Sequence, residues 1–252
     1  MSNAALMDAY LRRLGVDADL TPSWPLLCDL VTRHVYRVPF ENLDIINELR
    51  PELSTAGVLH KLAIRRRGGF CYELNEAFRA LLTHLGFEVR RIEARVWSEP
   101  RQKFGAPFDH LALVVSLPEG EYLTDVGFGD NNRTPLRLPA DTVTDISGAY
   151  TLKQTSNEIW LLSRSDDPLY EMTLTEQPLL AFAAMYRHHQ TSPDSVFTKG
   201  LICTRATPTG RTTLSREHLI AVDRANRTES VMPDRDQALL RHFGIVKENG
   251  TC

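Results

Sequence analysis

A chain of 252 residues with 42% hydrophobic and 24% charged side chains has the size and composition of a globular protein able to bury a sizeable core. Its formal net charge of −3 gives no electrostatic case for nucleic acid or an anionic membrane. No apolar stretch is long enough to read as a membrane span, and "MSNAALMDAY" has no basic region followed by an apolar core, so it does not read as a secretory signal. Cys28, Cys71, Cys203 and Cys252 show no pairing pattern and no Cys-x-x-Cys. A reduced, cytoplasmic setting is expected, with thiols free for chemistry. In that setting the Asn-x-Thr sequons at Asn132, Asn226 and Asn249 carry little meaning.

The first third reads as helical. "TPSWPLLCDLVTRHVYRV" opens with Thr21 as a plausible N-cap and Pro22 at the first helical position. "STAGVLHKLAIRR" offers Ser54 or Thr55 as a cap. In "CYELNEAFRALLTHLG", Leu74, Phe78, Leu81, Leu82 and Leu85 form one helical stripe, and Gly86 is a suitable stop. From about residue 87 the period changes. "FEVRRIEARVW", "HLALVVSL", "EYLTDVGF", "GAYTLKQT", "EIWLLSR" and "LYEMTLT" predict short antiparallel strands between Pro, Gly, Asp and Ser punctuation. A short helix, "PLLAFAAMYRHH", precedes strand-like "GLICTRAT" and "TTLS" and a polar helix, "PDRDQALLRHFGI". Helices first, strands second and a mixed tail third describe an α+β protein with segregated parts.

Chemistry concentrates at "RRRGGFCYELN", residues 65–75. Gly68 and Gly69 permit a sharp turn and close approach. Cys71 then falls at or near a helix N-terminus, where unpaired N–H groups and the macrodipole favour a thiolate. A thiolate nucleophile needs a proton partner, and the partner needs an orienting group. His110 begins one apolar strand and Asp125 closes the next, one short hairpin away. A relay Cys71–His110–Asp125 is therefore plausible, with His110 taking the thiol proton and Asp125 fixing its tautomer. A structural cysteine, a half-buried histidine and a turn aspartate remain the alternative on spacing alone.

Five segments occur in a telling order: "VPFENLD" at 38–44, "RRGGFCYELN" at 66–75, "DHLALVV" at 109–115, "TDVGFGD" at 124–130 and "TSPDSVFTKGLIC" at 191–203. Together they resemble the arylamine N-acetyltransferase family, from about residue 5 to 240. The resemblance implies a helical domain over 1–86, an antiparallel β-barrel domain over 87–195 and an α/β lid over 196–252. That core is similar to those of papain-like cysteine proteases and transglutaminases. It also implies a catalytic triad of Cys71, His110 and Asp125, and ping-pong transfer of acetyl from acetyl-CoA to an arylamine, arylhydrazine or N-hydroxyarylamine.

Phe40, Val96 and Phe128 match the family's apolar acceptor-pocket positions. Gly127 and Gly129 offer backbone N–H groups for the pyrophosphate of coenzyme A or the acyl oxygen. Arg67 and Glu41 suggest a structural ion pair supporting the Cys71 loop. No metal site is expected at His188 and His189; His188 is expected to border the cleft. The chain is somewhat short for the group, so no coenzyme A contact is assigned to its C-terminal region. Asp130 stands where some relatives carry a basic residue, so no phosphate contact is assigned to it. The rival readings are a thiol acyltransferase using another acyl donor or closing an amide in natural-product biosynthesis, a thiol hydrolase, and a non-catalytic binding domain. Against the hydrolase, the papain-type Cys-Gly-Ser-Cys-Trp is missing. A monomer or weak homo-oligomer is expected.

Overall fold

The computed structural model describes residues 2–16, 20–130, 132–232 and 234–246, so Asn249 and Cys252 lie outside the described residues. Helix α1 (Asn3–Leu14) is capped by the Ser2 hydroxyl and ends on Gly15 at φ 64°. Helix α2 (Trp24–Arg37) starts later than the sequence suggests. Ser23, not Thr21, is the cap, its hydroxyl accepting the Leu26 N–H, and Pro25 occupies the first turn, where a missing donor costs nothing. After a two-residue strand β1 (Phe40–Glu41) come α3 (Leu43–Ile46) and α4 (Thr55–Leu59). The latter is capped by Ser54 and runs directly into a π-helical turn at His60–Ile64. Helix α5 (Cys71–His84) buries the stripe of Leu74, Phe78, Leu81 and Leu82 against Tyr10, Leu14, Leu27 and Leu30. Gly86 breaks it at φ 91°, a conformation that excludes most side chains.

The strands follow: β2 (Glu88–Ser98), β3 (Lys103–Phe104), β4 (His110–Leu117), β5 (Gly120–Thr124), β6 (Leu136–Arg137), β7 (Asp141–Asp145), β8 (Gly148–Gln154), β9 (Trp160–Arg164) and β10 (Asp167–Met172). All but β3, which pairs with β2 alone, lie antiparallel in the order β6-β5-β4-β2-β10-β9-β8-β7. The end strands β6 and β7 approach each other, which curls the sheet into a nearly closed barrel. Strand β4 explains its own apolar run. Leu111, Leu113 and Val115 face the helical core, while Ala112 and Val114 face the barrel interior with Leu123, Tyr150 and Tyr170.

A 3₁₀ turn (Leu179–Phe182) leads into α6 (Ala183–Thr191), whose Tyr186 joins Phe182 in the helical core. Strands β11 (Ile202–Thr207), β12 (Gly210–Ser215), β13 (His218–Asp223) and β14 (Asn226–Val231) then form a second sheet, with β1 at its edge beside β11. Helix α7 (Arg235–Phe243) covers it through Ala238, Leu239 and Phe243 on Cys203 and Leu214. The α+β order expected from sequence is present. Strands β13 and β14 were not expected; β14 is exposed along its whole length and carries no apolar alternation. Among the described residues no helix is long and apolar enough to cross a membrane.

Candidate active site

The two sequence blocks around Phe40 and Cys71 are joined in space. Phe40 bridges to Gly69, and the Glu41 N–H donates to the Gly69 carbonyl at 2.9 Å. A Cβ at Gly68 would stand 1.9 Å from the Pro39 carbonyl oxygen, and one at Gly69 would stand 2.6 Å from a Glu73 carboxylate oxygen. The glycine pair therefore serves close approach. It delivers Cys71 as the first residue of α5, as its spacing suggested. The Glu73 carboxylate accepts the Phe70 N–H at 3.2 Å and Lys61 Nζ at 2.8 Å, completing the first turn.

Beneath this turn lies a buried ionic network. Arg67 reaches Glu41 at 2.9 Å and Asp44 at 3.0 Å, and Lys61 reaches Asp44 at 2.7 Å. The expected Glu41–Arg67 pair is present, within a larger cluster. Burial would raise the Asp44 carboxyl, but Lys61 and Arg67 hold it below the usual carboxylate range. For Glu73 burial prevails over Lys61, and its carboxyl is raised.

Hairpin register assembles the other two groups. His110 opens β4, β5 returns antiparallel with Thr124 opposite Leu113, and Asp125 follows at once. His110 Nε2 lies 2.7 Å from Asp125 Oδ2, which leaves Nδ1 as the ring atom for the hydrogen bond with Cys71. All three residues are buried, at 4% exposure for Cys71, 2% for His110 and 7% for Asp125. Asp125 also accepts from Asn75 Nδ2 at 2.9 Å, the Gly127 N–H at 2.8 Å and the Tyr170 hydroxyl at 3.0 Å. Asn75 also donates to the Leu111 carbonyl at 2.6 Å and accepts the Val126 N–H at 3.0 Å, so it staples α5 to both strands.

Burial disfavours a charged His110, yet the Asp125 carboxylate and the Cys71 sulfur outweigh it, and the imidazole is pushed up to about 10. Burial likewise pushes the Cys71 thiol up, opposed by His110 and the Leu111 N–H. This corrects the expectation of a thiol lowered by the helix end. Withdrawal from water outweighs the donors that face the sulfur, and the thiolate depends on a charged His110 beside it.

Phe40 and Phe128 line one solvent-open cleft of about 330 Å³ with Val35, Val38, Asp125 and Val126. Phe128 also meets the His110 ring edge-on at 5.5 Å. Val96 is not part of that lining; it lies half-buried on β2 opposite Tyr170. Gly129 borders the cleft at φ 88°, and a Cβ there would stand 3.2 Å from the Phe40 ring. The Gly127 N–H is not available to a ligand, because Asp125 takes it; a Cβ there would stand 2.9 Å from Cys71 Cα. His188 is exposed, and its neighbour His189 is the buried one. His189 Nδ1 meets Ser195 Oγ at 3.2 Å, while its Nε2 lies 3.2 Å from Asp109 but out of line for a hydrogen bond. Among the described residues no cluster of His, Cys, Asp and Glu could hold a metal ion. Sequence reading assigned nothing to Asn75 or Tyr170. Asn75, four residues after Cys71, shares its helix face and was accessible to that argument; Tyr170 looks like any apolar strand residue.

The N-acetyltransferase family profile matches residues 24–248. An arylamine N-acetyltransferase of Mycolicibacterium smegmatis is 33% identical over 95% of this chain and 91% of that protein. The Mycobacterium marinum arylamine N-acetyltransferase, solved in complex with CoA, superposes with a TM-score of 0.86 at 32% identity, covering 95% of this chain and 92% of that one. An arylamine N-acetyltransferase from Bacillus cereus, whose triad is Cys-His-Glu, gives a TM-score of 0.90 at 24% identity over 98% of this chain and 100% of that one. That last likeness speaks to the fold, and the acid bonded to His110 here is an aspartate. With these matches beside the geometry, the chain belongs to the arylamine N-acetyltransferase family.

Proposed function

We propose that the protein moves an acetyl group from acetyl-CoA to aromatic amines, hydrazines or N-hydroxyarylamines through an acetyl-Cys71 intermediate. The observation carrying this is the buried chain Cys71–His110–Asp125 beside a cleft walled by Phe40 and Phe128. Cys71 and His110 react as a thiolate–imidazolium pair, His110 holding the proton while the sulfur attacks the thioester carbonyl. Collapse of the tetrahedral adduct breaks the bond to the CoA sulfur, which takes the proton from His110 and leaves. An amine nitrogen then adds to the acetyl-cysteine carbonyl, His110 removes the amine proton, and the amide departs as Cys71 regains a proton.

Asp125 stabilises the imidazolium at each stage and keeps Nδ1 facing the sulfur. An aromatic amine suits the scheme because its low basicity leaves it neutral and nucleophilic at neutral pH, and its ring packs on Phe40 and Phe128. The CoA held by the Mycobacterium marinum relative supports the choice of donor. A reducing, cytoplasmic compartment fits a reaction that requires a free thiol. Initial rates measured against both substrates give parallel double-reciprocal lines, and Cys71→Ser abolishes nearly all transfer. Intersecting lines, or wild-type turnover in Cys71→Ser, would refute the scheme.

A further inference from the structure

The cleft beside the triad has a charged wall as well as an apolar one. Thr204, Arg205, Ala206 and Arg211 line it together with Phe40 and Phe128. Arg205 turns its guanidinium away, donating to the His242 carbonyl at 2.7 Å and lying over the Phe243 ring. Arg211 does not turn away. Its Nη1 donates to the Gly129 carbonyl, and to Thr204 Oγ1 at 3.2 Å, which fixes the plane of the guanidinium at the edge of the Phe128–Gly129 turn.

One carboxylate ties this arginine to a second. Asp130 Oδ1 lies 2.9 Å from Arg211 Nε, and Asp130 Oδ2 lies 2.9 Å from Arg164 Nη1. A third guanidinium, Arg133, donates to the Gly210 carbonyl at 2.6 Å, one residue before Arg211. The nearby Asp145 is engaged with the backbone N–H groups of Arg133 and Ser147. Exposure is uneven. The Arg211 side chain is 15% exposed, whereas that of Asp130 is 49% exposed. A fixed, mostly buried cation is thus covered from solvent by a counter-ion that water can reach. Burial, and after it the nearby Arg133, lower the proton affinity of Arg211, while Asp130 opposes them, as a counter-ion does.

We propose that Arg211, with Arg164 beside it, binds an anionic group of a substrate lying in the cleft, and that Asp130 is the resident counter-ion this group displaces. A guanidinium held flat by carbonyl and hydroxyl acceptors is preorganised for the planar or tetrahedral oxygens of a carboxylate or phosphate. The inference rests on the acyl-transfer reading only in assigning the anion to a substrate, either a phosphate of the acyl donor or an acidic substituent on the aromatic acceptor. Asp130 gains a role opposite to that of a ligand: it sets the threshold an incoming anion must overcome.

The test is direct binding, which needs no turnover. Calorimetric titration of the wild type, Arg211→Gln, Arg164→Gln and Asp130→Asn uses CoA and 4-aminobenzoate, with pantetheine and aniline as their uncharged counterparts. The anion that uses the site loses about tenfold in affinity in each arginine variant. The same anion binds more tightly to Asp130→Asn, and its uncharged counterpart changes less than about twofold. A response from CoA names the donor phosphate, and a response from 4-aminobenzoate names the acceptor. Equal shifts for charged and uncharged ligands, a shift of the same sign in Asp130→Asn and the arginine variants, or unmoved affinities for both anions overturn the proposal. If Arg211→Gln fails to fold, the more exposed Arg164→Gln carries the comparison. Opposite-signed shifts without acetyl transfer would sink the proposed function alone, and normal transfer with unmoved affinities would sink this site alone.

Discussion

Two buried clusters of ionisable side chains meet at the first turn of α5, and they are finished differently. In the network of Glu41, Asp44, Lys61, Arg67 and Glu73, each cation touches two carboxylates. Backbone donors complete it, the Leu43 N–H on Glu41 at 2.7 Å and the Phe70 N–H on Glu73. Such an arrangement holds three chain segments in place and has little tendency to exchange a proton. In the triad only the inner end is finished that way. Asp125 is saturated by His110, Asn75, Gly127 and Tyr170, while the outer end is a sulfur, a poor acceptor whose proton and charge are contested with His110. Burial is common to both clusters. The difference between scaffold and reaction centre lies in leaving one end of a rigid polar chain incompletely satisfied.

Breaking the rigid end of the triad gives the largest effect. Asp125→Asn keeps the shape and the Tyr170 contact but removes the charge, and kcat falls roughly 10³- to 10⁴-fold. Circular dichroism of that variant remains native-like, and a loss of less than tenfold would show that His110 needs no anionic partner. Breaking the scaffold sharpens the contrast. Arg67→Met strands Glu41 and Asp44 and lowers unfolding stability by about 3–5 kcal/mol in urea titration. The turnover of its folded fraction stays within a few-fold of wild type. Intact stability combined with lost turnover would mean that the network belongs to the chemistry.

The smallest effect is in pH. Folding raises the His110 pKa from ~6.5 to about 10. The raised value means that His110 contributes stability fully below ~6.5, and that the contribution drains away as pH rises through about 10. The stability gap between wild type and Asp125→Asn is therefore widest just below ~6.5 and narrows toward pH 10. A gap that widens on the alkaline side would contradict the Asp125–His110 ion pair.

Much of this arrangement was legible from residue types and spacing, and the exceptions share a cause. The α5 stripe, the strand at 110–117 and the hairpin joining His110 to Asp125 declare themselves through local period, which one segment carries alone. Tyr170 was hidden because its role is set by the pairing of β10 with β2, a contact between segments far apart in sequence. The direction of the Cys71 shift was misjudged for a related reason. A helix N-terminus is visible in sequence, but the depth at which it is buried is not. Strand β14 is polar at every position but Val231 and is a strand only because β13 pairs with it. Likewise, Gly127 reads as a free N–H until Asp125 is seen folded back upon it.

The most direct test of the account is an intact mass spectrum of the protein mixed with acetyl-CoA and no acceptor, followed by a peptide map. The account predicts one acetyl group, carried by Cys71 and removed when aniline is added. No adduct, or an adduct on another residue while Cys71 stays free to react with iodoacetamide, would contradict it.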